Sequence, residues 1–216
     1  DAIEAVAAAI TRESLVGKAV IHTAGARDAS VLAALAGRGA LVGSLHPAFP
    51  FADVDAALLN LPGATFAVEA ESPRLRVWLI ALAQAVNGRA MVIPPGQKAV
   101  YHSALVIASN YTVTLYALAE RLLIGIGAER EAADAALNRL VEGTVENLRD
   151  KGIPGALTGP LTRADAGTVR RHLPALRQLD PSVAEIYAAL ARLSLPMVRA
   201  RGVSTERLER VLDKEV

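Results

Sequence analysis

The sequence predicts an α/β segment over residues 1–95 followed by an all-helical segment over 96–216. Three observations carry this. Short apolar runs that stop at Gly, His or Pro alternate with helical patterns as far as Pro94-Pro95. No further strand-like run follows Pro95. The chain is 52% hydrophobic but only 4% aromatic, a balance that suits helices packed on one another and on a parallel sheet.

The elements follow in order. Ile3, Val6, Ile10 and Leu15 give helical spacing over Ala2 to Val16, and Gly17 stops it. Ala19-Val20-Ile21 is a buried-strand run that ends at His22-Thr23-Ala24-Gly25. Ala29 to Gly37 reads as a helix with Asp28 or Ser30 near its cap. Ala40 to Leu45 is the next strand, leaving through His46-Pro47, and Asp53 to Leu59 is a short helix. Thr65 to Val68 is a third strand, Ser72 to Val86 a helix, and Ala90 to Ile93 a fourth strand. Alternation at this pitch predicts parallel βαβ units. Beyond them, helices are expected at 97–125, 129–149, 165–176, 182–199 and 205–213, with Pro196 kinking or ending the fourth. The Gly- and Pro-rich run from Gly152 to Pro160 is expected to be a rigid loop.

Composition narrows the function classes. There is no cysteine, so thiol chemistry and thiolate metal sites are excluded. A formal charge of +1 gives no sign of a nucleic-acid or anionic-membrane surface. The stretch between Lys98 and Glu120 holds no formal charge, but His102, Ser103, Ser109, Asn110, Thr112 and Thr114 make it a poor membrane span. The start at Asp1-Ala2-Ile3-Glu4 has no signal-peptide pattern and no initiator Met, which reads as a cut or processed chain. A cytoplasmic location is the expectation.

Ligands of open α/β sheets sit beyond the carboxyl ends of the strands. His22-Thr23-Ala24-Gly25 and Ser44-Leu45-His46-Pro47 are such ends. Gln97-Lys98-Ala99-Val100-Tyr101-His102 opens the long helix, and Lys98, Tyr101 and His102 are close enough in sequence to share a face. The dipole at a helix start depresses a lysine pKa, so Lys98 could donate a proton to a developing alkoxide. The structural alternative for each is a hydrogen-bonded strand-end histidine or a solvated boundary lysine. Three histidines could hold zinc, but none of His22, His46 and His102 has helix-ligand spacing to another, so no metal is expected. Asn110 lies eight residues after His102, near the same face. Thr158-Gly159-Pro160-Leu161-Thr162-Arg163-Ala164-Asp165 could bind an anion, with Arg163 forking onto a carboxylate or phosphate; alternatively Asp165 caps the next helix and pairs with Arg163.

Four strings together resemble a bacterial family of Rossmann-like proteins whose C-terminal part is a domain of unknown function. They are Gly43 to Pro47, Lys98 to His102, Ala108-Ser109-Asn110-Tyr111, and Ala156 to Asp165. The wider group is the 6-phosphogluconate-dehydrogenase-C-terminal-like reductases. The resemblance implies a partial Rossmann-type parallel sheet followed by a helical substrate and dimerisation domain. In the β-hydroxyacid dehydrogenases of that group the helix starts with a lysine and carries an asparagine four residues on; here Lys98 matches and His102 replaces the asparagine. The Gly43-to-Pro47 string is similar to the glycine–histidine–proline turn of prephenate dehydrogenases, so the resemblance turns His46 to the substrate. His22 and Thr23 fall where relatives place a substrate-holding serine or threonine.

What this implies is an NAD(P)-dependent reductase of a small carbonyl, imine or hydroxy acid, with NADP the expected cofactor. Lys98, His46 and His102 would be catalytic. His22, Thr23, Tyr101, Asn110, Thr158 and Arg163 would bind substrate, and Thr23, Gly25 and Pro47 would lie against the nicotinamide. A homodimer through the helical domain is the expected assembly. The chain has no Gly-x-Gly-x-x-Gly, so roughly 60–70 residues of two βαβ units are expected to be missing and dinucleotide binding by the chain as it stands to be poor. The alternative from another class is a non-catalytic metabolite-binding or dimerisation module.

Overall fold

The computed structural model describes residues 2–11, 13–51 and 53–214, without the side chains of Val54, Ala56, Leu58 and Lys214; Asp1 and the reading of the N-terminus that rests on it lie outside the described residues. The chain forms two compact units that divide at Val113/Thr114.

The first unit is built on a four-stranded sheet of β1 (Ala19–His22), β2 (Leu41–Ala48), β3 (Thr65–Ala70) and β4 (Arg89–Val92), in that spatial order. The β1–β2 and β3–β4 pairs are parallel, as expected. The β2–β3 pair is antiparallel, which corrects the all-parallel expectation. The connection through α3 (Val54–Asn60) brings the chain back beside the end of β2, where Thr65 pairs with Ala48. Strand β2 also runs further than expected, through His46-Pro47. Pro47 is tolerated because β1 pairs only as far as Ser44, leaving the later residues of β2 with β3 as their one neighbour.

Strand alternation sorts the side chains onto two faces. On one, Leu45, Phe66, Val68 and Ala70 pack against Leu75, Leu79 and Ala83 of α4 (Pro73–Ala85). Ser72 caps α4, its hydroxyl accepting from the Leu75 N–H, with Pro73 at the first helical position. On the other face, Val20 and Val42 pack with Leu15, Leu32 and Leu35. These come from the chain around α1 (Ile3–Ala8) and from a 3-10 turn at Ala29–Leu32 that leads into α2 (Ala33–Ala36). Further along that face, Ala67 and Ile93 pack with Tyr101 of α5 (Lys98–Ala108). This contact joins α5 to the sheet of the first unit.

The helix expected from Ala2 to Val16 ends at Ala8. Arg38 pins the following residues instead: its guanidinium donates to the Ile10 carbonyl and its own carbonyl accepts from the Leu15 N–H. The expected helix over 97–125 is two helices, α5 and α6 (Asn110–Gly125), separated at Ser109, whose ψ of −68° and φ of −110° lie off the helical value.

The second unit contains most of α6, then α7 (Arg130–Gly155), α8 (Ala166–Leu179), α9 (Pro181–Ala200) and α10 (Glu206–Lys214). Its core is formed by Val169 and Leu173 of α8, Ala188, Ala191 and Leu195 of α9, and Leu208 and Leu212 of α10. Two expectations are corrected. Helix α9 continues through Pro196 to Ala200. The Gly-rich run is not wholly a loop: α7 breaks at Gly152 (φ 58°) and Ile153, then adds a further turn to Gly155.

Candidate active site

The register places three polar side chains in one row across the sheet. His22 pairs with Ser44 and Ser44 with Glu69, so all three point to the same face. His46 follows two residues after Ser44 on that face. The row lies between the two apolar patches of that face. Lys98, the first residue of α5, completes the group. His22, Ser44, Glu69 and Lys98 are all buried, and Lys98 is 0% exposed.

Each group is held by identifiable partners. The Ala24 N–H donates to His22 Nδ1 at 3.2 Å, so Nε2 carries the proton and donates to the Asp28 carbonyl at 3.2 Å. His22 is therefore the neutral tautomer, and burial lowers its pKa further. Glu69 Oε2 accepts from the Ala29 N–H at 2.9 Å, yet burial still raises its pKa above the ordinary carboxylate value. Of the two cap candidates, Asp28 and Ser30, Asp28 stands at the N-cap of the turn, but its carboxylate makes no bond there and accepts from the Lys98 N–H at 3.3 Å at the start of α5. His46 Nδ1 lies 2.9 Å from the Tyr101 hydroxyl, and burial, reinforced by Lys98 and His102, holds the imidazole neutral with a pKa of about 4.

Lys98 is the least satisfied of the set. Its Nζ sits 5.2 Å from the centroid of the Tyr101 ring, a cation–π contact, and has no hydrogen-bond partner among the described residues. Burial lowers its pKa, with Glu69 and Asp28 opposing the shift. The depression expected from the helix dipole is present, but desolvation is its main cause. The Ser44 hydroxyl is likewise buried and without a partner among the described residues. A buried ammonium and a buried hydroxyl left unmatched cost stability unless an oxygen is brought to them.

Beside this group is a cavity of about 290 Å³ whose walls include His46, His102, Phe49, Leu105 and Asn110. The His46 and His102 rings are 6.1 Å apart, edge to face. Lys98 is not among the lining residues. Gly25 sets the floor of the arrangement. A Cβ there would stand 2.3 Å from His102 Cδ2 and 2.8 Å from His46 Nε2, so only bare backbone fits. Gly25→Ala is expected to push both rings aside, costing about 1–3 kcal/mol by overpacking. Thermal melts measure that cost, and ligand affinity at the cavity should fall at least tenfold.

The structure thus brings together Lys98, His46, His102, Tyr101, His22 and Gly25, with Asn110 on the cavity wall. Thr23 is exposed and Pro47 half-buried at the strand ends. Thr158 and Arg163 are exposed in the second unit, where Asp165 caps α8 by accepting from the Thr168 N–H. Sequence reasoning missed Glu69 and the reach of Asp28. The available signal was a lone carboxylate inside the apolar strand Thr65-Phe66-Ala67-Val68-Glu69-Ala70. Among the described residues, no three His, Asp or Glu side chains are grouped to hold a metal ion, and no helix is long and apolar enough to cross a membrane.

The model of a domain of unknown function, DUF2520, matches residues 64–194. Protein TM1727 from Thermotoga maritima is similar at 23% identity and a TM-score of 0.78, over 94% of this chain and 76% of that one. BF3122 from Bacteroides fragilis, named for an NADP oxidoreductase activity, is 26% identical with a TM-score of 0.63, over 82% of this chain and 65% of that one. The reductive aminase from Aspergillus terreus, solved with NADPH and ethyl-5-oxohexanoate, is 14% identical with a TM-score of 0.56, over 90% of this chain and 70% of that one. No curated protein matches. The fold is a Rossmann-like sheet followed by a helical region, as in these oxidoreductases.

Proposed function

Because the chain belongs to the DUF2520 family and shares its fold with NADP oxidoreductases, we propose that it is part of an NAD(P)-dependent reductase of a small carbonyl, imine or hydroxy acid. The observation that carries this reading is the buried ammonium of Lys98, which has no hydrogen-bond partner among the described residues, set among two carboxylates and two neutral imidazoles. A carbonyl or imine brought to such a group meets a proton donor and little competing water. In this reading Lys98 is the general acid. His46 and His102 orient the substrate, Tyr101 and Asn110 line its approach, and His22 and Thr23 hold its far end. Arg163, with Thr158, clamps the substrate carboxylate from a partner subunit.

The dinucleotide such a centre implies fits the residues present at its reacting end. Thr23 is exposed at the end of β1 and open to a nicotinamide, whereas the side-chain position of Gly25 is filled by the His46 and His102 rings. No glycine-rich strand-to-helix turn is present to hold a pyrophosphate. A bound reduced nicotinamide supplies the hydride; the residues here hold the acceptor and deliver the proton. The expected cofactor is NADP.

A second reading, a non-catalytic metabolite-binding or dimerisation module, is favoured by two observations. Lys98 does not line the cavity, and α6 buries none of its described side chains although it is largely apolar. A homodimer through the helical unit is proposed under either reading.

The test is a fluorescence titration with NADPH and NADH on protein expressed from the complete reading frame, followed by NADPH oxidation with a panel of 2-oxo acids with and without ammonia. Micromolar NADPH binding and substrate-dependent oxidation are expected. Binding of neither nucleotide would replace the reductase reading with the module.

A further inference from the structure

We propose that the second unit carries an anion site of its own, built for the phosphate group of a small organic phosphate and independent of the Lys98 cluster. A cavity of about 440 Å³ lies between α8 and α10 and is lined by Arg170, Arg207, Arg210, Asp165, Gly167 and Val211, with Ala164 and Ala166 at its edge. The backbone that carries the arginines is held by the unit's core. Val169 precedes Arg170, and Leu208 follows Arg207; both apolar side chains are fully buried in the same cluster. The guanidiniums are therefore projected from two anchored helices rather than from a loop.

Several arginines of this unit are neutralised by an acid. Arg121, Arg130 and Arg199 each pair with an acid, namely Asp180, Glu120 and Glu209. Among the described residues, none of Arg170, Arg207 and Arg210 has an acidic ion-pair partner. Arg210 spends Nε on the Glu206 carbonyl of its own helix. The one carboxylate in the wall is already engaged: Asp165 accepts from the Thr168 N–H at 3.0 Å and from the Thr168 hydroxyl at 2.7 Å. Three arginines and one occupied carboxylate among the lining residues leave an excess of positive charge at a concave site.

That excess suits a dianion. Guanidinium forks match phosphate oxygens two at a time. Gly167 stands in the first turn of α8, where backbone N–H groups and the helix dipole favour negative charge. The cavity is larger than a phosphate alone needs, and Ala164, Ala166 and Val211 give it an apolar wall. A phosphate carried on a short carbon skeleton fills both parts.

The experiment is calorimetric titration of the full chain with inorganic phosphate, glycerol 3-phosphate and citrate at constant ionic strength, with thermal melts in parallel. Saturable binding at one site per chain is expected, tighter for glycerol 3-phosphate than for inorganic phosphate. R207Q/R210Q should weaken it at least tenfold, and K98M should leave it unchanged. Without ligand, R207Q/R210Q should melt no lower than the wild type, because like charges have been removed. R207K/R210K keeps the charge and should still lose several-fold in affinity, since an ammonium cannot fork. Wild-type affinity in either double variant, preference for citrate, or an equal thermal gain from chloride would overturn the proposal.

Discussion

Replacing Lys98 with methionine is expected to lower turnover by about 10²–10⁴ while leaving the thermal midpoint unchanged or higher. The two effects have one origin. Lys98 is 0% exposed and its Nζ has no hydrogen-bond partner among the described residues, so the folded protein bears the desolvation of an unmatched ammonium. Methionine keeps most of the length and the packing on Tyr101 and removes the charge. Glu69 is then left without a cation, but burial already holds its carboxyl toward the neutral form, and protonation resolves the imbalance. The pH dependence separates the variants further. The folded-state pKa of Lys98 is lowered from 10.5, so between the lowered value and 10.5 the unfolded chain binds a proton that the native chain does not. Wild-type stability should therefore rise with pH through that window, and K98M should lack this rise. NADPH oxidation and melts at several pH values check both halves. A lowered midpoint with unchanged turnover would make Lys98 a structural cation.

Glu69→Gln is expected to be the more damaging change to the fold. Glutamine keeps an oxygen for the Ala29 N–H, so the substitution isolates the charge. Glu69 is the larger of the two interactions that raise the Lys98 pKa against desolvation. Without it, the ammonium is buried with Asp28 alone to balance it. Removing one member of a buried charged pair costs up to about 3–5 kcal/mol. Part of that cost can be escaped if Lys98 gives up its proton. The alkaline limb of the pH–rate profile should then move to lower pH, because the general acid is lost sooner. The double variant E69Q/K98M should recover most of the stability lost in E69Q, since neither charge remains. Additive losses in the double variant would show that the two side chains do not act on each other.

Much of this was legible from residue patterns alone. The four strands, the helix Ser72–Val86 and the all-helical second half follow from periodicity, and Lys98, His46 and His102 stand out because three of the four histidines and this lysine fall at strand ends or just after Pro95. What was not legible depends on pairing between distant segments. Glu69 falls just past the expected strand Thr65 to Val68, and only the antiparallel register with β2 sets it beside Ser44. Asp28 had the spacing of a local cap, and its carboxylate acts across 70 residues of sequence instead. The split of the long helix at Ser109 carries no Gly or Pro to announce it. The arginine cavity joins α8 to α10, which are separated by the whole of α9, so no local motif spans it.

The reversal of β3 also acts as a proofreader of assembly. A slip of one residue between β2 and β3 turns every side chain of the strand to the opposite face. Val68 would then look toward Lys98, and Glu69 would be driven among Leu75, Leu79 and Ala83, where nothing can neutralise it. A misaligned hairpin is therefore penalised twice, once for the stranded carboxylate and once for the abandoned lysine. The residues that equip the cluster for chemistry also make the correct alignment the one the chain can keep.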